Sequence, residues 1–212
     1  MNSHKFQQAA QYAIKLLQRN MLPAFTYHNI DHTLDVVDTC THLAKLEGID
    51  EKNSQLLLIA AYFHDTGWTA ILGTDSDTYN ARRIIHEEQA VQIVRDILPT
   101  YNFTFEEIET ITRLIMATKR DHTPVDILEQ IIVDADMSPI GQVPSSFLRS
   151  NDALRRELET FGMKVKDTEW YENQKDFLET CFYYTTSARE LFEQNRLLNM
   201  VAIQSQRKAL NS

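Results

Sequence analysis

Glycine and proline are scarce in this chain, which limits the number of turns that it can make. The 212 residues include five of each, fewer than the average usage of about 7% glycine and 5% proline. Because these two residues interrupt secondary structure most strongly, their scarcity favours long helices. Apolar residues recur with helical periodicity along nearly the whole sequence, and no long stretch alternates as a strand does. We therefore predict an all-α fold.

Cysteine, basic charge and long apolar runs are also lacking. Cys40 and Cys181 are the only cysteines, too few for a disulfide framework or a zinc ribbon. The net charge of −9 argues against a general nucleic-acid binder, which would carry a basic field. The longest strongly apolar run, Leu56 to Phe63, is far shorter than the roughly 20 residues that span a bilayer. The polar first residues lack the apolar core of a signal peptide, so we expect a cytoplasmic protein that does not contact a membrane.

No internal repeat, low-complexity tract or Gly/Ser linker divides the sequence. We therefore expect a single domain over residues 1–212, a length that allows a substantial core. The stretch from Glu51 to about Asp65 is apolar on all sides and is predicted to lie at the centre, with Gly67 ending it. We predict four other helices over about residues 5–20, 30–48, 80–98 and 145–162. A further helix is predicted to begin with a capping box at Thr104, and another to run from Thr123-Pro124 to Asp136.

The last predicted element, about residues 168–204, carries apolar residues at intervals of seven. Such a stripe is typical of one long helix packed along its own bundle, and a homodimer seam is the alternative. The stripe consists of Trp170, Phe177, Tyr184, Leu191 and Leu198.

Several of the seven histidines lie beside acids or other histidines at spacings that suit metal binding. Ionisable pairs at the end of a buried helix are costly without a partner, and a divalent cation removes that cost by binding imidazole and carboxylate together. Each pattern alone has a plain alternative, either a surface pair or a solvated helix end, so only their joint occurrence points to a metal site. The patterns are His28 with His32, His64-Asp65 after the most apolar helix, and Asp134 with Asp136 at the end of another.

These three segments occur in an order that resembles a known family. Tyr27–Val36, with the sequence YHNIDHTLDV, is similar to the YHNxxHxxDV segment of cyclic-nucleotide phosphodiesterases. Ala60–Asp65, AAYFHD, resembles an AAxxHD motif, and Asp134–Ser138, DADMS, resembles a DADxL or ADLS motif. Together they resemble the HD superfamily of helical, metal-dependent phosphohydrolases over about residues 25–140, with about 145–212 as a C-terminal helical extension.

The resemblance implies a ligand set and a proton donor. His32, His64, Asp65 and Asp136 would hold one or two divalent ions: Mn, Fe, Zn, Mg or Co. The resemblance, and no spacing argument, favours Asp136 over Asp134. Asp65 would also bridge two ions and orient the nucleophile. His28 matches the histidine that protonates the leaving oxygen, and support of the metal site is the alternative role.

Four further residues are weaker candidates. Some HD proteins take additional histidines for a second metal from regions that match His86 and His122. The alternatives are a core histidine for His86 and a turn position for His122. Lys119 and Arg120 are predicted to contact the substrate phosphate, and solvated helix ends are the alternative.

The expected activity is hydrolysis of a phosphate mono- or diester of a nucleotide or other small molecule by metal-activated water. Thr66-Gly67-Trp68 follows His64-Asp65 where guanosine tetraphosphate hydrolases carry Glu-Asp. No GYP signature of cyclic-di-GMP hydrolases occurs, and the chain is shorter than a cyclic-nucleotide phosphodiesterase domain. The substrate therefore stays open. A di-iron oxygenase and a non-catalytic, ligand-sensing helical domain are the alternative functions.

Overall fold

Helices form all the regular secondary structure in the part of the chain that the structure, a computed structural model, describes: residues 3–70 and 73–209. The predicted all-α fold is confirmed. No helix in these ranges is both long enough and apolar enough to cross a membrane. The α-helices are α1 Ser3–Asn20, α2 Ile30–Leu46, α3 Glu51–Phe63, α4 Ser76–Ile97, α5 Phe105–Ala117, α6 Ile127–Asp136, α7 Pro144–Thr160, α8 Asp167–Thr180 and α9 Thr186–Ala209, with 3₁₀ helices at Thr66–Ala70, Leu98–Tyr101 and Ser138–Gly141.

Helix α3 lies at the centre, as its apolar composition predicts. It packs against α1, α2, α5 and α6, and Leu57, Ala60 and Ala61 are fully buried. Burial of apolar surface contributes about 25 cal/mol per Å², so the burial of this helix stabilises the fold. The C-terminal end of α3, where His64 and Asp65 follow, is thereby fixed inside the bundle.

Short polar side chains set several helix starts. The capping box predicted at Thr104 is present: Thr104 Oγ1 accepts from the Glu107 N–H at 3.3 Å, and the Glu107 carboxylate accepts from the Thr104 N–H at 2.8 Å. The predicted start of α6 at Thr123-Pro124 is wrong. Asp126 caps α6 by accepting from the Glu129 N–H at 3.0 Å, since a carboxylate there satisfies a free helical N–H that threonine at 123 cannot reach.

Gly67 does not end α3 as a left-handed glycine. It lies in the 3₁₀ helix Thr66–Ala70, which packs closely on α4. A Cβ at this position would lie 1.9 Å from the backbone oxygen of His86. Glycine is therefore required for close approach, and that approach brings His86 beside Asp65.

The single C-terminal helix predicted over 168–204 is wrong, because the chain breaks into α8 and α9. The two helices pack against each other, and an ion pair between Glu172 and Arg207 joins the start of α8 to the end of α9. They are thus antiparallel. Leu191 and Leu198 are 40% and 48% exposed whereas Trp170 is buried, so the seven-residue stripe is not one continuous packed face. The homodimer stays a prediction.

A buried carboxylate, Asp134, holds the break between α8 and α9 in place. Asp134 is 0% exposed and accepts from the backbone N–H groups of Tyr184 and Thr185 and from Thr185 Oγ1, each at 2.7 Å. Thr185 Oγ1 in turn accepts from the Ala188 N–H at 3.1 Å and so caps α9. Both carboxylate oxygens of Asp134 therefore accept hydrogen bonds that hold the fold together, which leaves Asp136 as the metal-ligand candidate on α6.

Asp134→Ala is expected to lower the free energy of unfolding by about 3 kcal/mol or more, because two buried donors and one partly buried donor lose a charged acceptor. Urea denaturation measures this change, and the exposed Asp152 on α7 provides a matched control in Asp152→Ala. Metal content per folded chain should not change in either variant. A stable Asp134→Ala protein that has lost its metal would show that Asp134 is a ligand.

Candidate metal centre

Three helix ends bring the four candidate ligands together. Asn29 caps α2 by accepting from the N–H groups of Asp31 and His32, which fixes His32 in the first turn. His64 and Asp65 directly follow α3, and Asp136 is the last residue of α6. Since α2 packs against both α3 and α6, these ends converge on one point.

The donor atoms lie at separations that suit a shared cation. His32 Nε2 is 3.1 Å from Asp136 Oδ1 and 3.7 Å from Asp65 Oδ2. His64 Nε2 is 3.3 Å from Asp65 Oδ2 and 3.5 Å from Asp136 Oδ1. Donors bonded to one ion at about 2.1 Å lie about 3.0 to 3.5 Å apart. One donor atom from each of His32, His64 and Asp136 lies within 4.8 Å of the other two, and Asp65 adjoins both imidazoles.

Two of these donors lack a hydrogen-bond partner, which is the observation that tests the fit to a metal. His64 Nε2 and Asp65 Oδ2 are buried and have no such partner among the described residues. Buried polar atoms are normally satisfied. His64 Nδ1 lies 2.7 Å from the Ala61 carbonyl oxygen; donation there leaves the lone pair of Nε2 directed into the site, as metal-binding histidines require. The residues present therefore fit a divalent cation.

The electrostatics of the site are those of a buried cluster with mixed charges. Burial alone would raise the pKa of Asp65, but the adjacent His64 imidazole holds that pKa well below its usual range. Burial would likewise raise the pKa of Asp136, yet the hydrogen bond with His32 and the adjacent His64 imidazole lower it. Both aspartates are therefore anionic near neutral pH. Two carboxylates and two imidazoles form a donor set that suits a transition metal while still accepting oxygen-loving ions.

His86 approaches the same group from α4. Its Nε2 lies 3.8 Å from Asp65 Oδ1, on the other carboxylate oxygen from the one that faces His32 and His64. The ring stacks on Trp68 with centroids 4.5 Å apart, and burial lowers the pKa of His86 to about 4. His86 is thus a neutral imidazole beside the other oxygen of Asp65, where the two residues would hold a second ion if one is bound.

His28 is held beside the metal group by a carboxylate that sequence reasoning missed. Glu157 on α7 is fully buried; its Oε1 lies 2.5 Å from His28 Nδ1, and its Oε2 accepts from the backbone N–H groups of Tyr27 and His28 at 2.8 and 3.0 Å. Tyr79 donates to Oε1 at 3.0 Å. Burial would lower the pKa of His28, but Glu157 raises it to about 9. The imidazole is therefore kept protonated at neutral pH.

A buried aromatic cluster packs against His28 and His86. Phe25, Trp68, Tyr79 and Phe161 form it, and Trp68 lies 5.0 Å from the His28 ring by centroids. Neither Glu157 nor this cluster belongs to the three motifs, and Glu157 lies more than a hundred residues from His28 in sequence. Nothing local in the sequence marks it, because a glutamate inside a helix is ordinarily solvated.

Three predicted site residues are not brought to the metal group. His122 Nε2 lies 2.8 Å from Glu129 Oε2 near the start of α6, about 10 Å along that helix from Asp136. Lys119 forms an ion pair with Glu88 at 2.5 Å. Arg120 lies over the Phe177 ring of α8, 5.6 Å from its centroid. Each has a local partner, so the described contacts give them no phosphate-binding role.

Comparison with known proteins agrees with this geometry. A family model described as "HD domain" matches residues 29–137, just over half of the chain and the segment that contains all four candidate ligands. No curated protein matches. Among solved structures, a predicted HD superfamily hydrolase from an uncultured Thermotogales bacterium is 19% identical; the match covers 94% of this chain and 89% of that one, with a TM-score of 0.57, which supports the fold. The chain belongs to the HD-domain family, a superfamily of metal-dependent phosphohydrolases.

Proposed function

We propose that this protein hydrolyses a phosphate ester of a small molecule, using a divalent cation held by His32, His64, Asp65 and Asp136. The observation that carries the proposal is the convergence of these donors beside His28, an imidazole that is kept protonated. A Lewis-acid site next to a proton donor is the pair that phosphoester cleavage needs, since charge develops on both phosphoryl and leaving oxygens.

Each residue has a chemical task in this proposal. When bound, a divalent cation lowers the pKa of water and polarises a phosphoryl oxygen. Asp65 Oδ1, directed toward His86, orients the attacking water by accepting a hydrogen bond. His28 donates a proton to the departing oxygen, and Glu157 holds the His28 ring in position through Nδ1. The buried Trp68 ring and the half-buried Tyr27 ring lie beside His28 and limit the access of water to this donor.

The choice of His28 as the acid follows from its environment. Its pKa of about 9 exceeds the ordinary value near 6.5, whereas the pKa of His86 is lowered to about 4. Two histidines of the same site therefore differ in protonation near pH 7, which separates a proton donor from a metal ligand. Their roles are not interchangeable.

The test of this function is metal analysis combined with a panel of substrates. Protein loaded in turn with Mn, Fe, Zn, Mg or Co is assayed on p-nitrophenyl phosphate, bis-p-nitrophenyl phosphate and nucleoside mono-, di- and triphosphates, with bound metal measured by elemental analysis. We expect metal-dependent release of phosphate or alcohol that EDTA abolishes and re-addition of metal restores. Protein that binds at least one ion per chain yet cleaves none of these esters would refute the proposal.

One observation favours a second candidate function. His86 beside Asp65 gives the site a fifth donor suited to a second ion, so a di-iron centre that oxygenates a small polyol or phosphonate is the alternative. Iron-loaded protein prepared anaerobically and then exposed to oxygen distinguishes the two. Oxygen uptake that depends on such a substrate, without ester hydrolysis, would favour the oxygenase.

A further inference from the structure

A cavity of about 370 Å³ adjoins the metal group on the side of His32. It lies between the segment from Thr26 to Asp35, including the start of α2, and the segment from Pro139 to Ala153, including the start of α7. Its volume suits a small molecule. Because His32 belongs both to the cavity wall and to the metal group, a molecule bound here would lie against one of the candidate ligands.

The cavity wall is mainly polar and has unused hydrogen-bonding capacity. The side chains of Gln142 and Ser150 have no hydrogen-bond partner within residues 3–70 and 73–209. Asp31 and Asp35, one helical turn apart on α2, are exposed at the same cavity. Carboxylates, amides and hydroxyls accept or donate to alcohol groups, so the wall favours a molecule with several hydroxyls over an apolar one.

Arg149 is the one lysine or arginine among the described residues that line this cavity. It is exposed, and its guanidinium contacts Ser146 Oγ at 2.8 Å. No carboxylate pairs with it among the residues that the structure describes. A guanidinium that forms no ion pair, at a cavity that includes the candidate ligand His32, is available to bind an anion.

The position of Arg149 on helix α7 shows how far this residue lies from His28. Arg149 and Glu157 are eight residues apart on this helix, which is about 12 Å along its axis. Glu157 contacts His28. The Arg149 side chain is directed toward the opposite end of the helix, where it contacts Ser146. Arg149 is therefore too far away to contact the phosphate whose leaving oxygen His28 protonates.

We propose that the cavity binds the body of the substrate, a polyhydroxylated phosphate ester, and that Arg149 binds a second anionic group at its far end. This inference rests on the proposed function for the position of the first phosphate. Asp31 and Asp35 accept hydrogen bonds from hydroxyls between the two anions. Arg149 is thus a specificity residue that distinguishes substrates with two anionic groups from those with one.

The test measures binding, so that it does not depend on turnover. Calorimetry on the Mn²⁺-loaded His28→Asn protein compares fructose 1,6-bisphosphate with fructose 6-phosphate, and adenosine 3′,5′-bisphosphate with adenosine 5′-monophosphate. The same titrations are made with Arg149→Gln added, and with Arg156→Gln added as the control. Arg156 is an exposed arginine on the same helix that does not line the cavity, so the two variants have equal net charge.

We expect one or both two-phosphate ligands to bind at least about tenfold more tightly than their one-phosphate partners. Arg149→Gln should abolish that preference without weakening the one-phosphate ligand, and Arg156→Gln should retain it. The sugar and nucleoside pairs show which body the cavity accepts. The inference is overturned if neither pair shows a preference, if Arg149→Gln weakens both members of a pair equally, or if Arg156→Gln has the same effect. Hydrolysis by the wild-type chain is measured separately, so loss of the proposed function would be distinguished from loss of this contact.

Discussion

Asp65→Asn is expected to remove tight metal binding and phosphoester turnover together. The Asp65 side chain is only 4% exposed and adjoins both His32 and His64, and Asn keeps its shape while removing its charge. Loss of an outer hydrogen-bond partner typically costs 10- to 100-fold in metal affinity, so loss of a ligand should weaken binding by more than about 100-fold. Turnover should fall by about 1000-fold or more, since both the cation and the water-orienting oxygen are affected.

Elemental analysis after dialysis and steady-state kinetics measure the two effects. Asp38→Asn is the matched control, because Asp38 is an exposed aspartate of α2, and it should retain both properties. Metal-free wild type and Asp65→Asn should show similar far-UV circular dichroism, so that a folding defect can be recognised. Full metal content and full activity in Asp65→Asn would place the site elsewhere in the protein.

The sequence predicts most of this site because its ligands follow local signals. His32 lies one turn after a helix cap, and His64-Asp65 follows the most apolar helix of the chain. The central position of α3 then requires these side chains to be buried together. Family resemblance favours Asp136 over Asp134, and the structure supplies a physical reason, since the Asp134 carboxylate is hydrogen-bonded to Tyr184 and Thr185.

The parts that sequence did not predict depend on contacts between distant residues. Glu157 reaches His28 across 129 positions, and no periodicity in α7 distinguishes it from a solvated glutamate. The break between α8 and α9 is held by Asp134 from another helix. Thr185, Thr186 and Ser187 are a local signal that could have indicated it, because clusters of such residues favour helix starts over helix interiors.

The sequence also assigns to the site three residues that the structure places elsewhere: Lys119, Arg120 and His122. Each is near the predicted ligands in sequence, but the turn after α5 directs them to Glu88, Phe177 and Glu129. Proximity in sequence is a poor guide to proximity in a helical bundle, since a turn of a few residues can direct side chains to different faces. Arg149, from a region outside the motifs, lines the cavity that contains His32.

His28→Asn is expected to lower kcat by about 100- to 10,000-fold, the usual contribution of a general acid. The deficit should depend on the leaving group. With p-nitrophenyl phosphate, whose alcohol departs readily without a proton, it should be much smaller than with phenyl phosphate. A residue that only supported the metal site would lower both rates equally. Kinetics on this pair of substrates, with metal content measured in parallel, therefore distinguish the two roles.

The pH dependence of activity in Glu157→Gln should test the same role of His28 as proton donor. His28 is the active donor only while protonated, so activity should fall as pH rises through its pKa, which is about 9 in the metal-free protein. A bound cation repels that proton, so the fall in the loaded enzyme lies at or below pH 9. Glu157 raises the pKa of His28 more than the other carboxylates do, so its removal should lower that pKa. The fall should then move to lower pH, with kcat reduced about 10- to 100-fold. Tyr79→Phe, which removes one hydrogen bond to Glu157 but no charge, should leave the profile nearly in place. An unchanged alkaline limb in Glu157→Gln would mean that His28 is not the group that titrates.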